Sequence, residues 1–123
     1  MNFTTRALEV ADLGAAALLL EAAISSSPHY NLVAKLEEIA AHTPEKLSAH
    51  LELDALGAIG VFADQELVGV VVSSLDAGLL WLGWIVVADA WRGCGLSHEL
   101  MRAFEESAGK RGAHKNLVRL AGR

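Results

Sequence analysis

Apolar residues recur along the chain with two different periods, and the change between them divides it. Phe3 to Leu8 alternates weakly, includes Thr4 and Thr5, and predicts a short strand. Asp12 then stands where a helix N-cap would, ahead of Leu13, Ala16, Ala17, Leu20, Ala23 and Ile24 at helical spacing. Ser25-Ser26-Ser27-Pro28 ends that helix, and His29 and Tyr30 fall in the break, where loop surface is the simplest reading. A second helix is predicted over Asn31 to Ala41, with Leu32, Leu36, Ile39 and Ala40 on one face. Thr43-Pro44-Glu45 restarts a third: an N-cap, a proline whose missing N–H costs nothing at the first position, and an acid in the first turn. It carries Leu47 and Leu51 and ends near Gly57, with His42 and His50 as surface residues.

Beyond Gly57 the period shortens. Ala58 to Ala63 and Glu66 to Ser74 read as strands joined at Asp64-Gln65, hence an antiparallel hairpin. Asp76-Ala77-Gly78 turns into the run Leu79 to Ala88, apolar on both faces and so a central strand. Gly83 inside the run predicts a bulge or a close backbone approach. In a regular strand Trp81 and Trp84 point to opposite faces, and both are expected in the core, the alternative being that one of them lines a ligand pocket. Leu96, Leu100, Met101, Phe104 and Ala108 then share a helix face, with Gly112 as the C-terminal signal. Ala113 to Leu120 closes the chain as a strand, placed parallel to Leu79–Ala88 by a right-handed crossover.

Between the apolar run and the last helix lies Trp91-Arg92-Gly93-Cys94-Gly95-Leu96-Ser97. A helix N-terminus presents unpaired N–H groups and the positive end of the helix dipole. Glycines before it let an anion approach the backbone, and the planar Arg92 fork suits phosphate. The stretch reads either as a phosphate-binding turn or as a strand–helix corner whose glycines only satisfy turn geometry.

Composition narrows the class. The 123 residues predict one domain spanning 1–123, and 53% hydrophobic residues suffice for a packed core. No apolar run approaches the roughly 20 residues that span a bilayer, and the N-terminus lacks the order of a signal peptide. A single cysteine excludes an internal disulfide, and no Cys/His cluster has zinc spacing. The expectation is a cytoplasmic protein without a metal. The net charge of −5 argues against nucleic acid. From Arg92 onward, however, seven Lys/Arg face three acids, whereas the first 91 residues hold three bases and twelve acids. That polarity suits a small polyanion at the glycine turn, or simply a solvated basic helix end.

The order strand, helices, three-strand meander, glycine turn, helix, strand resembles the GNAT superfamily of acyl-CoA-dependent N-acyltransferases, across nearly the whole chain. Arg92-Gly93-Cys94-Gly95-Leu96-Ser97 resembles its acetyl-CoA signature Gln/Arg-x-x-Gly-x-Gly/Ala, with Ser97 in place of the usual Gly or Ala. Val87 to Gly93, Gly112 to Lys115, and Thr5-Arg6-Ala7 with Asp12 resemble the flanking family patterns. The resemblance implies an α+β fold with a mixed, mostly antiparallel central sheet flanked by helices. It also implies acetyl-CoA, or another acyl-CoA, as cosubstrate. Its pyrophosphate would lie on the N–H groups of Arg92, Gly93, Cys94, Gly95, Leu96 and Ser97, and its pantetheine along Ile85, Val86 and Val87. The acceptor would be a small-molecule or peptide amine.

Two departures qualify that expectation. Relative to the family, the sequence stops before a last helix and two strands that complete the acceptor side. The tyrosine these parts often supply has no counterpart; Tyr30 is the one tyrosine. The apolar run carries no acid, and Glu66, Asp76 and Asp89 stand only at strand ends and turns, so no catalytic residue is assigned. Cys94 is read as a small residue tolerated in the turn, since direct transfer needs no nucleophile on the protein. The alternatives are a non-catalytic acyl-CoA-binding or partner-binding module, and a homodimer in which a second copy covers the bare edge of the last strand.

Overall fold

The computed structural model describes residues 2–113 and 115–117. Five strands form one sheet in the order β1-β2-β3-β4-β5: β1 Phe3–Ala7, β2 Ala58–Ala63, β3 Glu66–Asp76, β4 Leu79–Val87 and β5 Lys115–Leu117. The first four pair antiparallel and β5 joins β4 in parallel, as the crossover rule requires. Three helices, α1 Leu13–Ser26, α2 Leu32–Ala41 and α3 Pro44–Leu53, come between β1 and β2. The last helix, α4 Leu96–Lys110, links β4 to β5. His114 and the end of the expected last strand, Val118 to Leu120, lie outside the described residues.

Alternation along the strands builds two cores. Val70 and Val72 join Leu13, Ala16, Leu20 and Ile24 of α1 on one face. Val68 and Val71 join Leu100, Ala103 and Phe104 of α4 on the other, Val68 being the extra residue where the β2–β3 pairing shifts between Val61 and Phe62. Side chains of a pleated strand point alternately up and down, so a doubly apolar run is what a sheet covered on both faces needs. The caps follow the local chemistry: Asn31 Oδ1 accepts from Ala34 N–H at 2.8 Å, and Thr43 Oγ1 from Lys46 N–H at 3.3 Å.

Five sequence expectations change, the fifth at the β4 irregularity. Asp12 does precede α1, but its carboxylate accepts from the Glu9 N–H and the Arg6 guanidinium, each at 2.8 Å, and does not cap the helix. Leu32 and Leu36 are exposed and α2 buries no residue; only Ile39 of the expected face reaches the core. His50 is half-buried and its Nε2 donates to the Ser73 carbonyl at 2.7 Å. Tyr30 packs its ring edge-on against Trp84, with centroids 5.9 Å apart.

The β4 irregularity is real and consequential. Pairing shifts between Val72 and Ser73: Val72 faces Trp84 and Ser73 faces Leu82, leaving Gly83 as the extra residue. An inserted residue resets the two-residue alternation. Leu80 and Leu82 therefore face α4, whereas Trp84 and Val86 face α1. The two tryptophans consequently share a face and line one cleft, instead of pointing apart.

The first turn of α4 is anchored to β1. Arg102, and next the Thr5 hydroxyl, hold the Glu99 carboxyl down from its ordinary 4.5 to about 2. A depressed folded value means that this contribution is complete above pH 4.5 and is lost as the pH falls toward 2. Stability of Glu99→Gln should therefore fall less steeply than wild type over that window. Urea midpoints at a series of acid pH values check this, and parallel curves would rule it out.

Candidate functional site

β4 has one edge that its neighbours leave open. Among the described residues, β5 pairs with β4 only at Leu79, Leu80 and Trp81. Farther along, the Ala88 N–H donates to the Val68 carbonyl at 2.8 Å. Alternation along an antiparallel ladder then turns the N–H and C=O of Val86 toward β3 and those of Ile85 and Val87 away from it. Those outward groups line a cleft of about 830 Å³.

The same cleft runs onto the turn. After a single 3-10 turn at Asp89–Trp91, Gly93 and Gly95 take φ of +81° and +79°. This left-handed region disfavours every residue with a Cβ. A Cβ built on either glycine would meet nothing within 4 Å, so the space above the turn is open. Gly95 is the N-cap of α4 and brings no side chain to its end. The first intrahelical bond is Glu99 N–H to Gly95 C=O at 3.2 Å, which leaves the N–H groups of Leu96, Ser97 and His98 without helical partners. Arg92 is exposed and lies 3.1 Å from Asp89, an exposed pair that a stronger anion can displace. Asp89 thus braces the turn.

Eight of the nine residues singled out from sequence line this cleft: Ile85, Val86, Val87, Arg92, Gly93, Gly95, Leu96 and Ser97. Cys94 is exposed in the same turn and does not line it. The far wall comes from Ala23, Ser26, Ser27 and Pro28 at the end of α1, together with Trp84, Trp91 and His98. Sequence reasoning missed the α1 side of that wall because it comes from the other end of the chain. Among the described residues no group of three His, Cys, Asp or Glu could hold a metal ion, and no helix is long and apolar enough to cross a membrane.

A second cleft of about 360 Å³ opens at the bulge, between α2 and the start of β4. Trp84 belongs to both clefts, with its Nε1–H donating to Glu38 Oε1 at 3.0 Å. His42 Nδ1 donates to the Glu38 carbonyl at 2.8 Å. Neither Glu38 nor His42 stood out in the sequence, because on a half-exposed helix they look like ordinary solvated positions.

An open strand edge that leads onto an uncapped helix N-terminus defines a class of α+β domain built to take an extended ligand ending in an anion. A sequence profile of the acetyltransferase (GNAT) family matches residues 29–122, and the chain belongs to that family. A search of curated proteins finds no match. Solved structures agree on the fold. The PaiA N-acetyltransferase from Thermoplasma acidophilum, crystallised with coenzyme A, is 19% identical with a TM-score of 0.76, covering 92% of this chain and 76% of that one. A GNAT family acetyltransferase from Brucella melitensis, in complex with acetyl-CoA, is 20% identical with a TM-score of 0.76, covering 95% and 75%. The aminoglycoside N-acetyltransferase AAC(6')-Iy, in complex with CoA, is 16% identical with a TM-score of 0.72, covering 98% and 78%.

Proposed function

We propose that this protein is an N-acetyltransferase that binds acetyl-CoA in the larger cleft and passes the acyl group directly to an amine. The observation that carries the reading is the continuity of the outward Ile85 and Val87 backbone with the uncapped end of α4. The pantetheine amides add to the β4 edge as a peptide strand would, and the pyrophosphate lies on the N–H groups of the 92–97 turn beside Arg92. The fit is favourable because the glycines leave open space where an anion must approach.

Transfer then needs no covalent intermediate on the protein. The acceptor ammonium loses one proton to solvent, and its nitrogen attacks the thioester carbonyl. The C–S bond breaks, the sulfur leaves with the electron pair, and the nitrogen's second proton ends on the thiolate. The chain's part is to hold both substrates in line, the largest single gain available without an acid or base on β4.

Thermal unfolding with excess acetyl-CoA is the direct test. At a hundredfold over its dissociation constant, a ligand of the folded state adds roughly 2.7 kcal/mol. The expected rise in Tm is about 10 °C. Release of CoA thiol in the presence of an amine separates an enzyme from a binding module. An unchanged Tm at millimolar acetyl-CoA would remove the proposal.

A further inference from the structure

We infer that the cleft at the Gly83 bulge is the acceptor subsite and selects a cationic amine carried on a flat apolar body. This rests on the acyl-CoA reading of the larger cleft. The β4 edge has two ends. One meets the glycine turn; a ligand laid along the strand from there, over about 13 Å between Val87 and Gly83, brings its far end to the bulge. The smaller cleft opens at that end and shares Trp84 and the neighbouring strand with the larger one.

The lining decides what enters. Glu38 on α2 and Asp76 at the end of β3 contribute two carboxyl groups, and among the described residues no Lys or Arg lines the cleft. Glu38 is oriented: one oxygen takes the Trp84 indole N–H, which leaves the other with no protein partner among the described residues. Asp76 and Ser74 are exposed at the mouth. Trp81 is half-buried on the same face as Trp84, so the wall is aromatic. An ammonium is drawn by the carboxyl groups and by the face of an indole, while the apolar body lies against the ring. An acceptor with its own carboxylate beside the amine meets like charge and is rejected. The bulge makes this possible, since without Gly83 the two tryptophans would lie on opposite faces.

The test uses 2-phenylethylamine and phenylalanine, which share a body and differ by one carboxylate. The expected result is thiol release from acetyl-CoA with 2-phenylethylamine, and KM at least about tenfold higher with phenylalanine. Glu38→Gln keeps an oxygen for the Trp84 N–H and stays folded. It and Asp76→Asn should each raise KM for 2-phenylethylamine by about tenfold, with the Tm shift on acetyl-CoA unchanged. Calorimetric titration of the amine into the acetyl-CoA-loaded protein reads binding independently of turnover. Wild-type KM in both variants, equal use of phenylalanine, or no amine binding at about 10 mM would each overturn the inference. Loss of the acetyl-CoA shift in wild type is a different failure, that of the parent reading, and the subsite would fall with it.

Discussion

Arg111→Ala is expected to cost about 3–5 kcal/mol of folding stability. The Arg111 side chain is only 3% exposed. Its Nε donates to Asp54 Oδ2 at 2.9 Å, and its Nη1 donates to Ser73 Oγ at 2.7 Å and Ser107 Oγ at 3.3 Å. Nη2 reaches Asp54 as well, making the pair a two-pronged one. One guanidinium therefore ties the end of α4 to the segment after α3 and to the middle of β3. Truncation leaves the Asp54 carboxylate without its cation and takes a donor from the Ser73 and Ser107 hydroxyls, and an uncompensated charge costs more than the ion pair itself contributes. Arg111→Lys keeps the charge but not the fork, so its loss should be intermediate. Urea denaturation at neutral pH measures both. A loss under about 1 kcal/mol for the alanine variant would mean that water replaces the network without penalty. The tie also matters for the site, because Gly112 follows at once with φ +73° and leads the chain into β5. Where α4 ends decides where β5 meets β4, and hence how much of the β4 edge stays open.

Gly95→Trp should abolish the acetyl-CoA-induced rise in Tm while the protein still folds. Two effects separate here. Any Cβ at φ +79° costs about 1–2 kcal/mol of stability, which Gly95→Ala measures alone. The indole of the tryptophan variant additionally fills the open space above the turn and shields the N–H groups of Leu96, Ser97 and His98. The expected pattern is a modest destabilisation in both variants, with acetyl-CoA affinity lost by a hundredfold or more, on the order of 2.7 kcal/mol, only in the larger one. If the glycines served turn geometry alone, both variants would be equally destabilised and both would keep the full ligand shift. Thermal unfolding with and without acetyl-CoA, on the three proteins side by side, distinguishes these outcomes.

Much of this protein was legible before any coordinates. The sequence determined the strand boundaries of Ala58–Ala63, the span of α4 and the glycine turn, because each depends on local chemistry. Period-two alternation, a Thr-Pro-Glu start and glycines flanking a helix act within a few residues of themselves. The family was legible for the same reason: its signature is a local device at one helix end. The structure alone decided the rest. It turned Trp81 and Trp84 to one face, since a single bulged glycine resets every side chain beyond it. It gave His50 a partner on β3 and placed Glu38 against Trp84, contacts 23 and 46 residues apart in the chain. It exposed Leu32 and Leu36, because helical periodicity defines a face but cannot say whether another element covers it. The larger cleft needs the end of α1 opposite β4, and the smaller one needs α2 opposite the bulge. Local pattern sets each element; only packing sets which elements face each other, and the chemistry of this site lies in what faces β4.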